Sequence, residues 1–349
     1  MTKKRLLSLI IIFTVLITGC GQSMKGETLH LNKNPYSKTE FLLGTVVTIK
    51  VYDEDKEEVL ESAFERIKEL DEQISAEKQT SVINQMNENA GIHPIQVPED
   101  IYHLIEAGKK HSQLANGLLD ISIGPLTKLW HIGFPDARKP EQREIDQVLP
   151  FINYQNIELD EQNQTVYLSK KNMKLDLGAI AKGFITDEVV TILKDSGVTS
   201  AIIDLGGNIY ALGRNPSGEQ WDIGIQDPFS ARGNIVGKIQ TENKSVVTSG
   251  IYERYLEIND VKYHHLLNPN DGYPFNNDIA GITVIASSST DADALSTAVF
   301  AKGIKEGMKY IEQFADAEAI FVDHNKNVYV SSGVKGKFKL TNDQFTLQE

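Results

Sequence analysis

Two polar side chains in the last third of the sequence have the spacing of a cation site. Asp293 and Thr297 follow the apolar run 281–286 and are four residues apart, so that on a helix they share one face. A carboxylate and a hydroxyl are oxygen ligands that Mg²⁺ accepts, and Mg²⁺ usually completes its shell with water and substrate phosphate. The pair therefore indicates phosphoanhydride chemistry. Helix capping by Asp291 and Asp293, with Thr297 only packed, explains the same pattern.

A second cluster, Asp176–Gly183, has the sequence DLGAIAKG and joins a predicted strand to a predicted helix. Small residues let backbone groups approach a ligand, and a helix N-terminus presents free N–H groups to an anion. The cluster matches neither the Walker A loop nor the dinucleotide fingerprint. A small-residue junction without a ligand explains it equally well. The paired glycines of Asp204–Asn208 are similarly open to two interpretations, a close backbone approach or a simple hairpin turn.

His265 is the candidate general base. It follows the segment Thr248–Arg254 and directly precedes an Asn-Pro turn, and the ordinary pKa of histidine lies near neutrality. Its neighbour His264 would point to the opposite face of a strand, which disfavours a joint metal site. A purely structural histidine remains the alternative. The sequence contains no Gly-x-Ser-x-Gly and no His-Glu-x-x-His motif, so it gives no support to a serine hydrolase or a zincin.

The N-terminus has the features of an export signal. Three basic residues precede an uncharged run from Leu6 to Ile17, which is too short for a comfortable membrane span, and small residues then lead to Cys20, the only cysteine of the chain. This arrangement resembles a bacterial lipobox. We therefore expect a signal peptide at residues 1–19 and an acylated Cys20 that begins a tether of residues 20–38. The protein would be lipid-anchored at the cell membrane, on its extracytoplasmic side. A plain secretory signal is the alternative.

Composition excludes one class of partner. The chain has 349 residues, a net charge of −13 and 40% hydrophobic residues, enough for a substantial core. Basic residues do not cluster outside the leader, whose removal would make the remainder still more acidic. Binding of a polyanion needs a basic face, so we expect no nucleic-acid partner.

The periodicity of apolar residues predicts helices interleaved with many short strands. Helices are expected at about residues 56–74, 100–115, 183–196, from 290 onward, and 305–314. Strands are expected at 43–52, 166–177, 201–210, 221–226, 234–240, 252–258, 262–267, 281–286 and 319–330. This order favours an α+β fold with largely antiparallel sheets over regular βαβ winding.

Taken together, these motifs resemble one family, the ApbE-type flavin transferases, which move FMN from FAD onto a Ser or Thr of a target protein. The matching blocks, in family order, are Leu43–Thr45, Gly117–Leu126, Asp176–Gly183, Asp204–Asn208, Thr248–Gly250, His265–Pro269 with Gly272 and Pro274, and Asp293–Thr297. The resemblance implies a T-fold-like α+β architecture of two subdomains, which would occupy residues 39–349.

The resemblance also implies roles for individual residues. Mg²⁺ would be held by the Ala179 carbonyl, Asp293 and Thr297, and His265 would deprotonate the acceptor hydroxyl. The FAD cleft would be lined by Leu43, Glu77, Leu118, Leu119, Asp120, Asp176, Lys182 and Leu267. Glu77 stands where many relatives carry an aromatic residue, and Asn268 replaces a frequent aspartate.

The expected activity is Mg²⁺-dependent transfer of FMN from FAD, the substrate, to a Ser or Thr hydroxyl with release of AMP. The partner would be an exported or membrane-associated acceptor flavoprotein. Two alternatives remain open: a Mg²⁺-dependent FAD pyrophosphatase that releases FMN and AMP, and a non-catalytic flavin-binding lipoprotein.

Overall fold

The computed structural model describes residues 31–348. The predicted signal peptide, Cys20 and the first part of the predicted tether lie outside the described residues. The remaining part of the tether, residues 31–38, differs from the expectation because it belongs to a paired strand, Leu31–Leu42. The described fold therefore includes eight residues, 31–38, that the sequence assigned to the tether.

The described residues alternate between helices and short strands. The helices are α1 Val59–Ile74, α2 Val82–Glu88, α3 Glu99–Leu114, α4 Gly124–Trp130, α5 Gln142–Val148, α6 Ala181–Asp195 and α7 Ser289–Ile311. The first strands are β1 Leu31–Leu42, β2 Thr45–Asp53, β3 Ile95–Gln96, β4 Ile157–Asp160, β5 Thr165–Leu168, β6 Ala201–Leu205, β7 Asn208–Leu212 and β8 Trp221–Gln226. The others are β9 Ile235–Thr241, β10 Lys244–Gly250, β11 Tyr255–Ile258, β12 Val261–His264, β13 Ile279–Ala286, β14 Ala317–Asp323, β15 Asn327–Val330, β16 Phe338–Leu340 and β17 Thr346–Leu347.

A nine-stranded sheet organises the body, in the order β1-β2-β6-β7-β10-β13-β14-β15-β17. Its strand pairs within the described residues are antiparallel except β15 with β17. Smaller sheets are formed by β16-β9-β8, β3-β5-β4 and β11-β12. The predicted α+β class with largely antiparallel sheets is confirmed.

Apolar side chains cover both faces of this sheet. The helix α1 presents apolar residues at helical spacing, including Ala63, Ile67 and Leu70, all fully buried. They join a large hydrophobic cluster with buried side chains of α3, α6, α7 and the sheet. A second cluster lies between the sheet and the strands β8, β9 and β16. The large cluster draws on residues from Val47 to Phe321, so segments far apart in the sequence share one core.

Several predicted elements are divided or joined differently in the structure. The apolar run 201–210 forms two strands, β6 and β7, because Gly206 and Gly207 turn the chain between them with positive φ. The two helices expected after residue 290 are present as two helical segments, which meet at the non-helical Gly303 (φ +72°) and are both included in α7. In the part of the chain that the structure describes, no helix is both long and apolar enough to cross a membrane.

Candidate active site

The start of α7 is fixed by a carboxylate on α6. Asp187 accepts hydrogen bonds from the backbone N–H groups of Ser289 and Thr290, at 2.8 and 2.9 Å, and from the hydroxyls of Ser288 and Thr290. A carboxylate at the first turn satisfies free N–H groups and interacts favourably with the helix dipole. This contact sets the position of the α7 residues that follow, including Asp293.

Asp293 lies in the interface between α6 and α7. The residue is 2% exposed, and Oδ2 accepts a hydrogen bond of 2.8 Å from the backbone N–H of Gly183. Oδ1 lies 3.4 Å from Nζ of Lys182. A Cβ atom on residue 183 would come within 2.3 Å of the Ser289 carbonyl oxygen, so only glycine permits this approach. The predicted motifs Asp176–Gly183 and Asp293–Thr297 therefore meet at one point.

Two oxygens near this point have no hydrogen-bond partner among residues 31–348. The first is the carbonyl of Ala179, which a regular helix would pair with the N–H of Gly183, a group that donates to Asp293 instead. The second is the hydroxyl of Thr297, one turn beyond Asp293 on α7 and partly exposed. A carboxylate, a carbonyl and a hydroxyl are donors that suit Mg²⁺. No group of three His, Cys, Asp or Glu side chains that could hold a metal is found within residues 31–348.

The loop 118–122 is tied down by Asp120, one of the predicted cleft residues. Its Oδ1 accepts from the N–H and hydroxyl of Ser122, at 2.8 and 2.7 Å, and its Oδ2 accepts from the N–H of Tyr154. Burial raises the pKa of Asp120, and these hydrogen bonds oppose that rise. The same loop reaches Asp176, whose N–H donates to the Ile121 carbonyl. Asp120 and Asp176 therefore belong to adjoining segments.

The side chains of the predicted leucines are not equally available. Leu119 and Leu267 are 2% and 5% exposed and belong to hydrophobic clusters, so that only their backbone groups could face a ligand. Leu118 and Leu43 are partly buried. Leu43 has φ +56°, an uncommon conformation for this residue type, in the two-residue turn that it forms with Gly44 between β1 and β2.

His264 and His265 differ in their surroundings, as predicted for neighbours on a strand. Both ring nitrogens of the buried His264 face the backbone: Nε2 donates to the Phe275 carbonyl, and Nδ1 accepts from the N–H of Leu266. Among residues 31–348, only one ring nitrogen of His265 has a hydrogen-bond partner: Nδ1 lies 3.2 Å from the Arg254 carbonyl oxygen. This tautomer leaves the lone pair of Nε2 free to accept a proton.

The environment of His265 favours its neutral form. Burial lowers the pKa of His265, and the nearby positive charges of Arg254 and Lys182 lower it further against the opposing hydrogen bond to the Arg254 carbonyl. The ring is half-buried by surface area but closely surrounded by protein atoms. Because Lys182 also contacts Asp293, His265 lies on the same side of the fold as the candidate cation site.

The side chain of Arg254 connects His265 to the β1–β2 turn. A Cβ atom on Gly44 would lie 3.3 Å from an Nη atom of Arg254, and one on Gly133 would lie 3.1 Å from its Cδ. The structure thus brings the turn at Leu43 close to His265. Arg254 and Asp187 received no role in the sequence analysis. Arg254 belongs to the segment Thr248–Arg254, which precedes His265 in the sequence analysis. The only sequence feature that could point to Asp187 is its place as an acidic residue in an early turn of a helix.

Glu77 lies at the edge of this region and is exposed. Its carboxylate is 3.7 Å from Nε2 of His131, and the His131 ring stacks on Phe134 with centroids 4.1 Å apart. Gly133, which contacts Arg254, lies between these two residues in the chain. The stacked rings of His131 and Phe134 therefore lie beside Glu77, the position where many relatives carry an aromatic residue.

Comparison with known proteins identifies the family. A sequence profile described as "ApbE family" matches residues 43–321. The chain is 36% identical to a FAD:protein FMN transferase of Klebsiella pneumoniae (strain 342), over 87% of this chain and 94% of that protein. It is 32% identical to a FAD:protein FMN transferase of Treponema pallidum (strain Nichols), over 94% and 95% of the two chains.

A solved structure gives the same result. The crystal structure of the ApbE protein from Thermotoga maritima superposes with a TM-score of 0.80 at 32% identity, and the match covers 87% of this chain and 99% of that chain. The resemblance predicted from the sequence is confirmed, and with it the expectation of an enzyme, since the matching relatives are named as transferases. This chain belongs to the ApbE family.

Proposed function

We propose that this protein transfers FMN from FAD to a Ser or Thr hydroxyl of an acceptor protein and releases AMP, in a reaction that requires Mg²⁺. The observation that carries the proposal is the meeting of Asp293, Lys182 and His265 in one region. These residues come from three separate motifs, and they supply a metal ligand, a cation and a proton acceptor. The names of the relatives support the same activity.

The donors present fit Mg²⁺. Asp293 would bind it together with the carbonyl of Ala179 and the hydroxyl of Thr297, both of which lack a hydrogen-bond partner among the described residues. When bound, Mg²⁺ neutralises charge on the FAD pyrophosphate and makes its phosphorus atoms more electrophilic. Lys182 would then be released from Asp293 to contact the phosphates.

The chain's own groups account for the proton and the orientation of FAD. His265 Nε2 accepts the proton of the acceptor hydroxyl, whose oxygen forms a bond to the phosphorus next to riboflavin. The anhydride P–O bond breaks, and its electron pair leaves with AMP. The FAD cleft would be lined by the remaining predicted residues, Leu43, Glu77, Leu118 to Asp120, Asp176 and Leu267. Leu119 and Leu267 would contribute only their backbone groups.

The choice between transfer and hydrolysis depends on the acceptor. In the pyrophosphatase alternative, water replaces the protein hydroxyl and the same residues act. A binding protein that performs no chemistry would need neither the buried Asp293 nor a histidine with a free Nε2, so this second alternative is less well supported.

Anchoring through Cys20 on the extracytoplasmic side of the cell membrane is part of the proposal and rests on the sequence alone. It would restrict the acceptors to exported or membrane-associated flavoproteins. The acidic charge of the chain argues against nucleic acid as a partner.

In-gel flavin fluorescence tests the proposed function. The purified full chain is incubated with FAD, Mg²⁺ and an extract of exported proteins, and the mixture is separated under denaturing conditions. A fluorescent band on a second protein that disappears with EDTA is the expected result. Free FMN and AMP without a band would favour the pyrophosphatase, and unchanged FAD would contradict both enzymes.

A further inference from the structure

Arg254 is a cation at the candidate site without an assigned role. Its side chain is exposed, and no hydrogen bond or ion pair to its guanidinium is formed within residues 31–348. The neighbouring Glu253 faces another arginine, Arg232, at 3.5 Å. Arg232 also donates to the Gly206 carbonyl, so it is held by protein groups. Arg254 therefore keeps its five N–H donors available for a ligand.

The surroundings of Arg254 hold it beside the reacting groups. Its carbonyl oxygen accepts from both the backbone N–H and Nδ1 of His265, and its side chain extends between Gly133 and Gly44. Side chains at these two glycine positions would crowd the arginine. Two cations therefore act on the His265 ring: the guanidinium of Arg254 and the ammonium of Lys182, which is shared with Asp293.

We infer that Arg254 is a further catalytic residue, whose guanidinium binds non-bridging oxygens of the phosphoryl group that is transferred. The inference rests on the proposed function. A guanidinium matches two phosphoryl oxygens with parallel N–H···O bonds, which a lysine cannot do. Negative charge on these oxygens changes as the acceptor oxygen bonds to phosphorus and the anhydride bond breaks. A cation beside these oxygens stabilises the transition state more than it stabilises FAD in the ground state.

The test compares Arg254→Ala with Arg214→Ala in the full chain. Arg214 is an exposed arginine that follows β7 and pairs with Glu242, a residue outside the candidate site. FAD affinity is measured by flavin fluorescence, and AMP release is measured in a single turnover with the acceptor protein found by the in-gel experiment. Where no acceptor is found, water serves as the acceptor, because the same phosphorus is attacked.

We expect Arg254→Ala to slow AMP release about 10²- to 10³-fold, as loss of one charge-stabilising donor does, with at most a few-fold change in FAD affinity. Added guanidinium chloride should restore part of the rate in Arg254→Ala but not in Arg214→Ala, with NaCl as the ionic-strength control. Arg254→Lys should recover only part of the rate, because it keeps the charge without the planar fork.

Other outcomes would overturn the inference in distinguishable ways. An unchanged rate in Arg254→Ala would remove the catalytic role and leave the proposed function intact. A proportional loss of FAD affinity would make Arg254 a ground-state contact. A higher KM for the acceptor at an unchanged maximal rate would assign Arg254 to acceptor docking. If the wild-type chain neither transfers FMN nor hydrolyses FAD, the proposed function fails together with the inference.

Discussion

At the scale of single residues, two adjacent histidines have separate tasks because they differ in their free nitrogens. His264 is 6% exposed, and both of its ring nitrogens bond to backbone groups, which fixes the strand β12 against the segment at Phe275. Within the part of the chain that the structure describes, His265 bonds through Nδ1 alone and keeps Nε2 available. The first arrangement stabilises the fold, and the second can move a proton.

Replacement of each histidine by alanine should separate these tasks. His265→Ala should lower the transfer rate about 10²- to 10⁴-fold, because the acceptor hydroxyl loses its base, while FAD binding and the Tm change little. His264→Ala should lower the Tm, because two buried backbone groups lose their partners. Transfer assays and thermal unfolding of both variants provide the comparison. A normal rate in His265→Ala would exclude it as the base.

The pH dependence of the reaction should reflect the environment of His265. Its pKa is lowered by burial and by the charges of Arg254 and Lys182, so the neutral form persists below the ordinary value of about 6.5. Activity is lost when His265 becomes protonated, so the acidic limb of kcat/KM should have its midpoint below about pH 6.5. A midpoint above that value would contradict the assignment. Arg254→Ala should move the midpoint upward.

At the scale of elements, the site depends on how closely α6 and α7 approach. Gly183 donates its N–H to Asp293 and has no room for a Cβ atom, which would lie 2.3 Å from the Ser289 carbonyl oxygen and 2.8 Å from Cβ of Asp293. Asp187 fixes the same contact from the other side. One helix pair thus determines both the stability of this interface and the position of Asp293, the proposed metal ligand.

Substitution of Gly183 by alanine should therefore affect both properties. We expect Gly183→Ala to destabilise the fold by about 1–3 kcal/mol through overpacking and to weaken the response to Mg²⁺, because Asp293 must move. Gly281→Ala is the matched control, since a Cβ atom there meets Pro228 at an ordinary 3.5 Å. Denaturant unfolding and Mg²⁺ titration of activity measure the two effects. Equal stability and an equal Mg²⁺ response in the two variants would contradict the argument that α6 and α7 leave no room for a side chain at residue 183.

The sequence predicted the elements around the site better than the contacts between them. Apolar periodicity placed α1, α3 and α6 to within a few residues, because their buried faces repeat at helical spacing. It placed Leu43 in a strand, whereas Leu43 turns the chain with positive φ, which side-chain type does not signal. The proximity of Arg254 to Gly44 depends on tertiary packing, and no local pattern encodes it.

At the scale of the whole molecule, the site is assembled from segments far apart in the sequence. The candidate residues Leu43, Asp120, Lys182, His265 and Asp293 come from five separate parts of the chain. The nine-stranded sheet and its helices unite these parts in one folded body. An unfolded chain cannot present this arrangement. A ligand that needs all five segments should bind the folded state alone, and its binding should stabilise the whole molecule.

Thermal unfolding with FAD and Mg²⁺ tests this coupling. At a ligand concentration 100 times the Kd, binding to the folded state alone adds about 2.7 kcal/mol, which corresponds to several degrees in Tm. We expect FAD and Mg²⁺ together to raise the Tm by more than the sum of their separate effects, since the metal would bind between Asp293 and the pyrophosphate. EDTA should abolish the joint increment.

Two aspartate variants connect the Tm increment to the proposed metal site. Asp293→Ala should lose the joint increment, because the carboxylate ligand is absent, and its Tm without ligands should fall, because the N–H of Gly183 loses its acceptor. Asp222→Ala, which removes an exposed carboxylate on β8, should retain the full increment. A joint Tm increment that survives in Asp293→Ala would place Mg²⁺ elsewhere. A Tm that rises with FAD but does not respond to Mg²⁺ would support a flavin-binding protein that does not use the metal.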